Sequence, residues 1–160
     1  MAGKNKKKKN LTTPEILNKR ARHKYHIGDT YEAGIKLQGT EVKAIREGKA
    51  QITEAYVRID KGQAYLCNAY IQEYTFGNFN NHAPTRVRKL LLHKKEILRL
   101  QSDVDAGGKT LIPLKLFIRK GLVKLDFAVC TGKTLHAKRE SLKADIARRE
   151  ADRAMKVNQR

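Results

Sequence analysis

The first clear hydrophobic pattern along the chain is the alternation typical of a β-strand. From residue 25 to residue 37, apolar side chains recur at about every second position, which is the spacing of a half-buried β-strand. Gly28 and Gly34 interrupt this stretch. A glycine inside a strand pattern indicates a bulge or bend, as a small curved barrel requires.

Two hairpins follow the same rule. Residues 55–59 and 64–71 are strand-like, and Asp-Lys-Gly at 60–62 predicts a tight turn between them. Residues 114–119 and 123–129 alternate between apolar and polar positions more strictly. Lys-Gly joins these two segments as the second turn.

Helical segments are short. Thr13 as N-cap, followed by proline, predicts a helix over about 13–22. Further helices are expected over 41–47, which a glycine ends, and over 93–102. Residues 77–84 are rich in turn formers and predict a loop. The buried side of the 93–102 helix is expected to consist of Ile97, Leu98 and Leu100.

Pro113 precedes the second hairpin, and proline cannot donate to a strand ladder, so it is expected at a strand start or a sheet edge. Together the elements indicate a mainly β protein with short helices, an OB-like antiparallel β-barrel with flanking helices. Residues 1–12 are predicted to form a disordered basic N-terminus, 13–131 the barrel domain and 132–160 a basic C-terminal tail.

The tail differs from the barrel in composition. Residues 131–160 contain no aromatic residue and no proline, and their acids and bases recur at helical spacing. Their apolar stripe is thin, so an isolated helix is marginal in water. The tail is therefore expected to be disordered in the free protein and helical against a partner.

Charge points to the class of partner. The 160 residues carry 35 Lys+Arg and 16 Asp+Glu, a net charge of +19. Residues 1–24 account for +8 and residues 131–160 for +5. Such an excess favours a polyanion, and nucleic acid is the commonest in a cytosol. An acidic membrane surface is the competing partner, but it favours tryptophan-bearing amphipathic helices, and this chain has no tryptophan.

The sequence gives little support to other classes. No apolar run reaches 18 residues, and the lysine-rich start leads into no apolar stretch of a secretory signal. Cys67 and Cys130 form no CxxC motif, which favours a reducing, cytoplasmic setting. Two Gly-Lys-Thr strings lack the earlier glycine of a phosphate loop. The five histidines are scattered, so we expect no metal, no cofactor and no enzymatic activity.

Three basic clusters are candidates for RNA contact, because Lys and Arg bind phosphates while flat side chains stack on bases. The first lies before the strand at 25–37, the second follows the Asn-rich loop, and the third is the basic face of the last hairpin. The candidate residues in these clusters are Asn18, Lys19, Arg20, Arg22, His23, Arg86, Arg88, Lys89 and Lys124. Few aromatic platforms accompany them, which favours a folded RNA over an unstructured strand.

Five long strings support a family resemblance. They are LNKRARHKY (17–25), YEAGIKLQGTEVKAIREGKA (31–50), RKLLLHKKEI (88–97), LIPLKLFIRKGLVKLDFAVCTGK (111–133) and HAKRESLK (136–143). In these strings the chain resembles the SsrA-binding protein family, also called small protein B. The resemblance implies a cytoplasmic adaptor that binds transfer-messenger RNA (tmRNA, SsrA) and delivers it to stalled ribosomes. There it supports trans-translation, ribosome rescue and tagging of the nascent peptide for proteolysis.

The resemblance also implies roles for residues. Asn18, Glu32 and Leu91 match positions associated with the tRNA-like domain of that RNA. For Glu32 two interpretations stay open, an acceptor for RNA donors that also fixes nearby arginines, or an internal ion pair. The tail would contact the decoding centre and message path of the ribosome through Gly132, Lys133, His136, Lys138, Arg139, Arg148, Arg149, Arg153 and Met155.

Two alternatives to the adaptor are kept. A structural ribosomal protein is also small, basic and tailed, and a general RNA-binding translation factor fits the same charge. In the adaptor hypothesis the chain is a monomer with no membrane partner.

Overall fold

A computed structural model describes residues 13–158. The predicted basic N-terminus, residues 1–12, lies outside the described residues. The strands are β1 (Ile16–Leu17), β2 (Tyr25–Ile35), β3 (Ala50–Gln51), β4 (Tyr56–Asp60), β5 (Gln63–Cys67), β6 (Tyr70–Ile71), β7 (Arg88–Leu91), β8 (Lys109–Arg119) and β9 (Leu122–Gly132). The helices are α1 (Ala21–Lys24), α2 (Gly39–Arg46), a 3₁₀ turn (Asn78–Asn80), α3 (Lys94–Asp105) and α4 (Leu135–Asn158).

Six strands close into an antiparallel barrel. The neighbours in the sheet run β8-β4-β5-β7-β2-β9, and β9 pairs back onto β8. Closure leaves no free edge in this ring, which is how small barrels avoid exposed strand edges. The short β1 adds onto β8, and β3 pairs with β6 as a separate two-stranded sheet. The predicted mainly β, OB-like barrel with flanking helices is confirmed.

The barrel core contains the inward positions of β8 and β9. Leu116, Leu125 and Phe127 are each at most 1 % exposed. Tyr31 of β2 stacks on Phe127 with ring centroids 5.8 Å apart. The period-two alternation of the last hairpin therefore identifies the interior positions Leu116, Leu125 and Phe127, but Ala128, expected on the polar side, is fully buried in a second cluster with Ile112 and Cys130.

Gly28 produces the predicted bulge in β2. The register between β2 and β9 shifts between Ile27 and Thr30. A Cβ atom on Gly28 would lie only 2.8 Å from the carbonyl oxygen of Val129. Glycine is therefore needed because β9 backbone approaches too closely for any side chain.

Pro113 departs from its predicted place. It lies inside β8, is fully buried, and coincides with a register shift between Pro113 and Lys115. Besides strand starts and edges, a β-bulge also tolerates proline, because the ladder is interrupted there and needs no N–H donor at that position. The expectation of a strand start or edge is wrong.

The predicted helix over 13–22 is also wrong. Ile16 and Leu17 form β1 and pair with Leu116 and Lys115, and the helix covers Ala21–Lys24 alone. Pairing with β8 is a long-range interaction, and it outweighs the weak local preference that Thr13 and the following proline give.

Smaller differences concern strands and helix faces. The segment 64–71 is two strands, interrupted at Asn68, which adopts a positive φ of 56°. Strand β7 was not predicted, although it bridges β5 and β2. The α3 helix agrees with its predicted position, but Leu98 is 61 % exposed, so it does not belong to the buried side.

The tail forms the long helix α4. Its large apolar side chains are exposed, including Leu142 at 50 % and Met155 at 66 %. It adds little to the barrel core, as its composition predicts. The disorder of the tail in the free protein stays a prediction. Among residues 13–158, no helix is both long enough and apolar enough to cross a bilayer.

Candidate nucleic-acid interface

Glu32 organises two cations on the outer face of the barrel. It lies on β2, directly opposite Asp126 of β9. Its carboxylate accepts a hydrogen bond from Arg119 at 3.0 Å and lies 3.2 Å from the ammonium group of Lys124. The Glu32 side chain is 37 % exposed. This ion triad therefore faces solvent, and both interpretations of Glu32 from the sequence are compatible with it.

Asp126 extends the same row of charges inward. Burial raises the pKa of Asp126, the neighbouring Lys115 partly offsets this shift, and the negative charge of Glu32 adds to it. Lys115 lies 3.8 Å from Asp126 and 4.5 Å from the ring centroid of Phe117. The acids of β2 and β9 thus lie among cations of β8 and β9 over a short distance, which fixes the cations in place.

An open groove of about 600 Å³ runs beside this triad, and we call it the Glu32 groove. Its wall brings together four of the predicted RNA-binding residues. It is lined by Glu32, Gly34, Gly62, Gln63, Lys89, Leu90, Leu91, Leu92, His93, Glu96, Ile97 and Lys124. Leu91 is 55 % exposed, so it is a surface residue rather than part of the core. The groove offers cations, carboxylates and an apolar contact to one ligand.

A second groove, of about 240 Å³, lies beside α1, and we call it the α1 groove. Arg20, Lys24 and Tyr25 line it together with Glu54. Arg20 and Lys24 lie 3.2 and 3.6 Å from the Glu54 carboxylate. Because these side chains remain largely exposed, the pairing leaves them accessible to phosphates.

Asn18 has a structural position below this groove. Its side-chain nitrogen donates to the carbonyl oxygens of Pro113, at 2.9 Å, and of Ile52, at 3.3 Å. Its side-chain oxygen accepts from the backbone N–H of Ala21 at 3.2 Å. The residue is 6 % exposed. The amide thus ties β1, β8 and the start of α1 together, and it supports the surface rather than presenting a free amide to it.

Arg88, expected at the RNA surface, lies in the interior. Its side chain is 0 % exposed and donates to Glu41 at 2.8 Å and to the carbonyl oxygens of Ala69, Pro84 and Arg86. Arg88 therefore cannot contact a ligand directly in this structure. The cause is strand β7, which alternates its residues between the interior and the surface.

Glu41 is the buried partner of Arg88 and also of Arg86. Its carboxylate lies 2.6 Å from Arg86, whose side chain is 32 % exposed. Burial by itself would raise the pKa of Glu41, but hydrogen bonds from Arg86, from the backbone of Gln38 and from Arg88 together lower it. The carboxylate is therefore ionised and pins α2 to β7.

The tail begins at the opposite end of β9 from the Glu32 groove. β2 and β9 pair from Tyr25–Gly132 to Gly34–Lys124, a span of about 26 Å along β9 at 3.3 Å per residue. The backbone N–H of Lys133 donates to the carbonyl of Lys24 at 3.0 Å. The tail therefore starts against α1, where the α1 groove also lies.

Two further contacts hold α4 near α1. The ammonium group of Lys133 donates to the carbonyl oxygen of Arg22 at 2.8 Å. His23 lies 3.7 Å from Asp145 on α4. Of the other predicted α1 residues, Lys19 and Arg22 are exposed.

The remaining predicted tail residues lie on or just before a helix that is open to solvent. His136 is largely exposed and lies 3.6 Å from Glu140. The other tail positions named from the sequence are Gly132, Lys138, Arg139, Arg148, Arg149, Arg153 and Met155. Apart from the α1 end, the described tail thus presents its basic residues to solvent rather than to the barrel.

Some groove residues could not be identified from sequence. Arg119 of the ion triad lies on the basic face of the last hairpin but was not among the candidate residues, and Gln63 and His93 of the groove carried no motif. They enter the Glu32 site because the barrel closes β5, β7 and β8 around β2. Among residues 13–158, no three His, Cys, Asp or Glu side chains converge in a way that could hold a metal ion.

The fold and these surfaces define a class of small, basic proteins, an OB-like barrel with an exposed basic tail. Comparison with known proteins is specific. The family model SmpB protein matches residues 15–157. The chain belongs to the SmpB family, the SsrA-binding proteins, and the resemblance found in the sequence is confirmed.

Individual relatives agree with this assignment. The SsrA-binding protein of Flavobacterium johnsoniae is 51 % identical over 148 residues, covering 92 % of this chain and 98 % of the relative. That of Pelotomaculum thermopropionicum is 47 % identical over 143 residues, covering 89 % and 94 %. A solved structure described as "tmRNA-SmpB: a journey to the center of the bacterial ribosome" matches with a TM-score of 0.65 and 44 % identity. It covers 81 % of this chain and 94 % of the matched chain.

Proposed function

We propose that this protein is an RNA-binding adaptor that binds tmRNA and delivers it to stalled ribosomes for trans-translation. Its result is rescue of the ribosome and tagging of the nascent peptide for proteolysis. The observation that carries the proposal is the match, over most of both chains, to SmpB in a structure described by its tmRNA partner and the ribosome. In this proposal the protein acts at the ribosome and therefore in the cytoplasm. As an adaptor it has no enzymatic step and no cofactor.

The Glu32 groove is the proposed contact for the tRNA-like part of tmRNA. Lys89, Lys124 and Arg119 supply phosphate contacts, and Leu91 supplies an exposed apolar contact for a base or ribose. Glu32 holds Arg119 and Lys124 in place and can accept from RNA hydroxyl or amino groups. In this proposal Glu32 serves the ligand through the cations it orders.

The α1 groove is the second part of the proposed RNA surface. Lys19, Arg20, Arg22 and His23 lie around α1 with exposed or half-buried side chains. Asn18 and Arg88 are positioning residues, Asn18 for α1 and Arg88, through Glu41 and Arg86, for β7. Phosphate contact through several such cations makes the affinity depend steeply on salt concentration.

The test is binding of the purified full chain to a tmRNA transcript, with a structured RNA of equal length as the control. We expect tighter binding to tmRNA, and an affinity for it that falls linearly on a log–log plot against salt. Equal affinity for the control RNA would contradict the proposal.

A tail truncation separates delivery from binding. Because the main contact of α4 with the rest of the described chain is with α1, and its large apolar side chains are exposed, removal of residues 132–160 is expected to leave the melting temperature nearly unchanged and to retain most tmRNA affinity. Tagging on stalled ribosomes is expected to be lost. Tagging at the full-length rate by the truncated protein would show that the tail only adds charge.

The structural ribosomal protein remains the second candidate, and the basic, exposed α4 is the observation that favours it. Stoichiometry distinguishes the two functions. An adaptor is substoichiometric on purified ribosomes and carries one small stable RNA, whereas a structural component is present once on each particle.

A further inference from the structure

The segment from Tyr74 to Asn81, which we call the aromatic loop, exposes two phenylalanines. Phe76 is 77 % exposed and Phe79 is 105 % exposed, more than any other large apolar side chain among residues 13–158. Six tyrosines and four phenylalanines are the aromatic residues of the chain, and four of these ten lie between 70 and 79. None of them is needed by the sites described above.

The loop is held in shape by its own side chains. The amide of Asn81 forms two hydrogen bonds with the backbone of Tyr74, accepting from its N–H at 2.9 Å and donating to its carbonyl at 2.7 Å. A Cβ atom on Gly77 would lie 2.8 Å from this same Asn81 amide. Asn78 adopts a positive φ of 44°. Because the loop is closed by these hydrogen bonds, the directions of its exposed side chains are fixed. This lowers the conformational entropy that is lost when a ligand binds.

The aromatic side chains of the loop become more exposed from Tyr74 to Phe76 to Phe79. Lys43 of α2 lies 5.2 Å from the ring centroid of Tyr74, and Phe76 meets Tyr74 edge to face at 5.6 Å. Phe79 has no such neighbour among the described aromatic rings, so its two faces are open. Beside them, an open groove of about 510 Å³ is lined by Tyr70, Tyr74, Gln72 and Asn81 among others.

These features match what an unpaired base requires. A base needs a flat face for stacking, amide groups for its edges and a cation for its phosphate. Phe79 offers an exposed flat face, Gln72 and Asn81 of the groove offer amide groups beside the Glu73 carboxylate, and Lys43, next to Tyr74, offers a cation. A net charge of +19 favours a nucleic acid over an apolar protein partner here.

The loop lies near the Glu32 groove. Val42 of α2 lines a shallow hollow together with Leu91 and Lys124, and its chain neighbour Lys43 contacts the aromatic loop. Helix α2, about 10–12 Å across with its side chains, therefore lies between the aromatic loop and a hollow that shares Leu91 and Lys124 with the Glu32 groove. One folded RNA that fills the groove can reach the loop.

We propose that the aromatic loop is a further RNA contact, on which an unpaired base of the same tmRNA that occupies the Glu32 groove stacks against Phe79. This inference rests on the proposed function. It adds a base-stacking site to a surface that is otherwise made of ion pairs and one leucine.

The test compares Phe79→Ala, Phe79→Tyr and Leu98→Ala with the unchanged chain, using a full tmRNA transcript. Leu98 is the matched control because it is a 61 % exposed apolar residue on α3 that lines neither groove. We expect Phe79→Ala to weaken binding by about fivefold or more, because each stacked base contributes on that scale. Phe79→Tyr and Leu98→Ala are expected to stay within twofold, and all three melting temperatures to match.

Chemical probing gives a second readout on the same samples. At saturating protein, the unchanged chain is expected to protect at least one unpaired tmRNA base that Phe79→Ala leaves reactive. Unaltered affinity and protection with Phe79→Ala would overturn the stacking site and leave the adaptor function standing. So would a variant that binds tmRNA normally but sediments less with ribosomes, because the loop would then serve a ribosomal partner. Failure of the unchanged chain to prefer tmRNA would instead contradict the proposed function, and the stacking site with it.

Discussion

Two glutamates in this protein each hold two cations, and their surroundings give them opposite roles. Glu41 is fully buried between Arg86 and Arg88. Glu32 holds Arg119 and Lys124 at similar distances but is 37 % exposed. Removal of one partner from a buried pair leaves an uncompensated charge, whereas an exposed pair is solvated either way. The same chemical triad therefore stabilises the fold at one place and offers cations to a ligand at the other.

The largest effect is expected from Arg88→Met. This change leaves the Glu41 carboxylate with Arg86 as its one cationic partner, beside the backbone N–H of Gln38, and removes donors from three backbone carbonyls. Breaking one side of a buried ion pair costs about 3–5 kcal/mol. Urea unfolding measures this loss. Arg119→Met, the same change in the exposed triad, is the matched control and is expected to cost about 1 kcal/mol or less. Equal losses would remove the distinction between the two triads.

The sequence predicts the exposed triad better than the buried one. Lys124 was identified because period-two alternation in the last hairpin separates its polar positions from the core. Arg88 was misplaced because β7 was not recognised as a strand, and its partner Glu41 lies 47 residues away along the chain. Local patterns report which face a residue occupies, but they carry no information on distant partners. The same limit explains β1, whose partner β8 is about a hundred residues away.

Asn18→Ala is expected to have the next largest effect. It removes the side-chain donor to the carbonyl oxygens of Pro113 and Ile52 and the side-chain acceptor for the N–H of Ala21. The Ile52 carbonyl still accepts from the N–H of Ala55, and the N–H of Ala21 still donates to the backbone carbonyl of residue 18, so the Pro113 carbonyl is the group most affected. A buried polar group without a partner costs about 1–3 kcal/mol. Thermal and urea unfolding are the measurements, and Lys19→Ala is the neighbouring control, an exposed change expected within about 0.5 kcal/mol. If Asn18→Ala weakens RNA binding at unchanged stability, its role is direct contact and not positioning.

Acid should weaken the buried triad selectively. The hydrogen bonds from Arg86, Gln38 and Arg88 lower the pKa of Glu41 in the folded state despite its burial. A lowered pKa contributes stability above the ordinary pKa of glutamate, and this stability is lost as the pH falls through the folded value. The difference in unfolding free energy between the unchanged chain and Glu41→Gln should therefore become smaller as the pH falls from the ordinary pKa of glutamate to the lowered pKa of Glu41 in the folded protein. A constant difference down to the lowest pH at which the chain folds would contradict the ionised Glu41.

Glu32→Gln is expected to have the smallest effect on stability and a clear effect on binding. The exposed pairs with Arg119 and Lys124 contribute at most about 1 kcal/mol to folding. Without the carboxylate these two cations lose their fixed positions, so tmRNA affinity should fall about 2- to 10-fold, the scale of one net hydrogen bond. Titration of the RNA with each protein measures this change.

The control is Asp29→Asn, which removes one acid from an exposed pair with Arg99 and changes the net charge equally. If charge alone governs binding, both variants gain affinity by the same factor, because each makes the protein more basic. If Glu32 orders its cations for the RNA, the two variants separate, with Asp29→Asn equal to or tighter than the unchanged chain and Glu32→Gln weaker. That separation distinguishes an exposed triad that serves the RNA from one that is an ordinary surface ion pair.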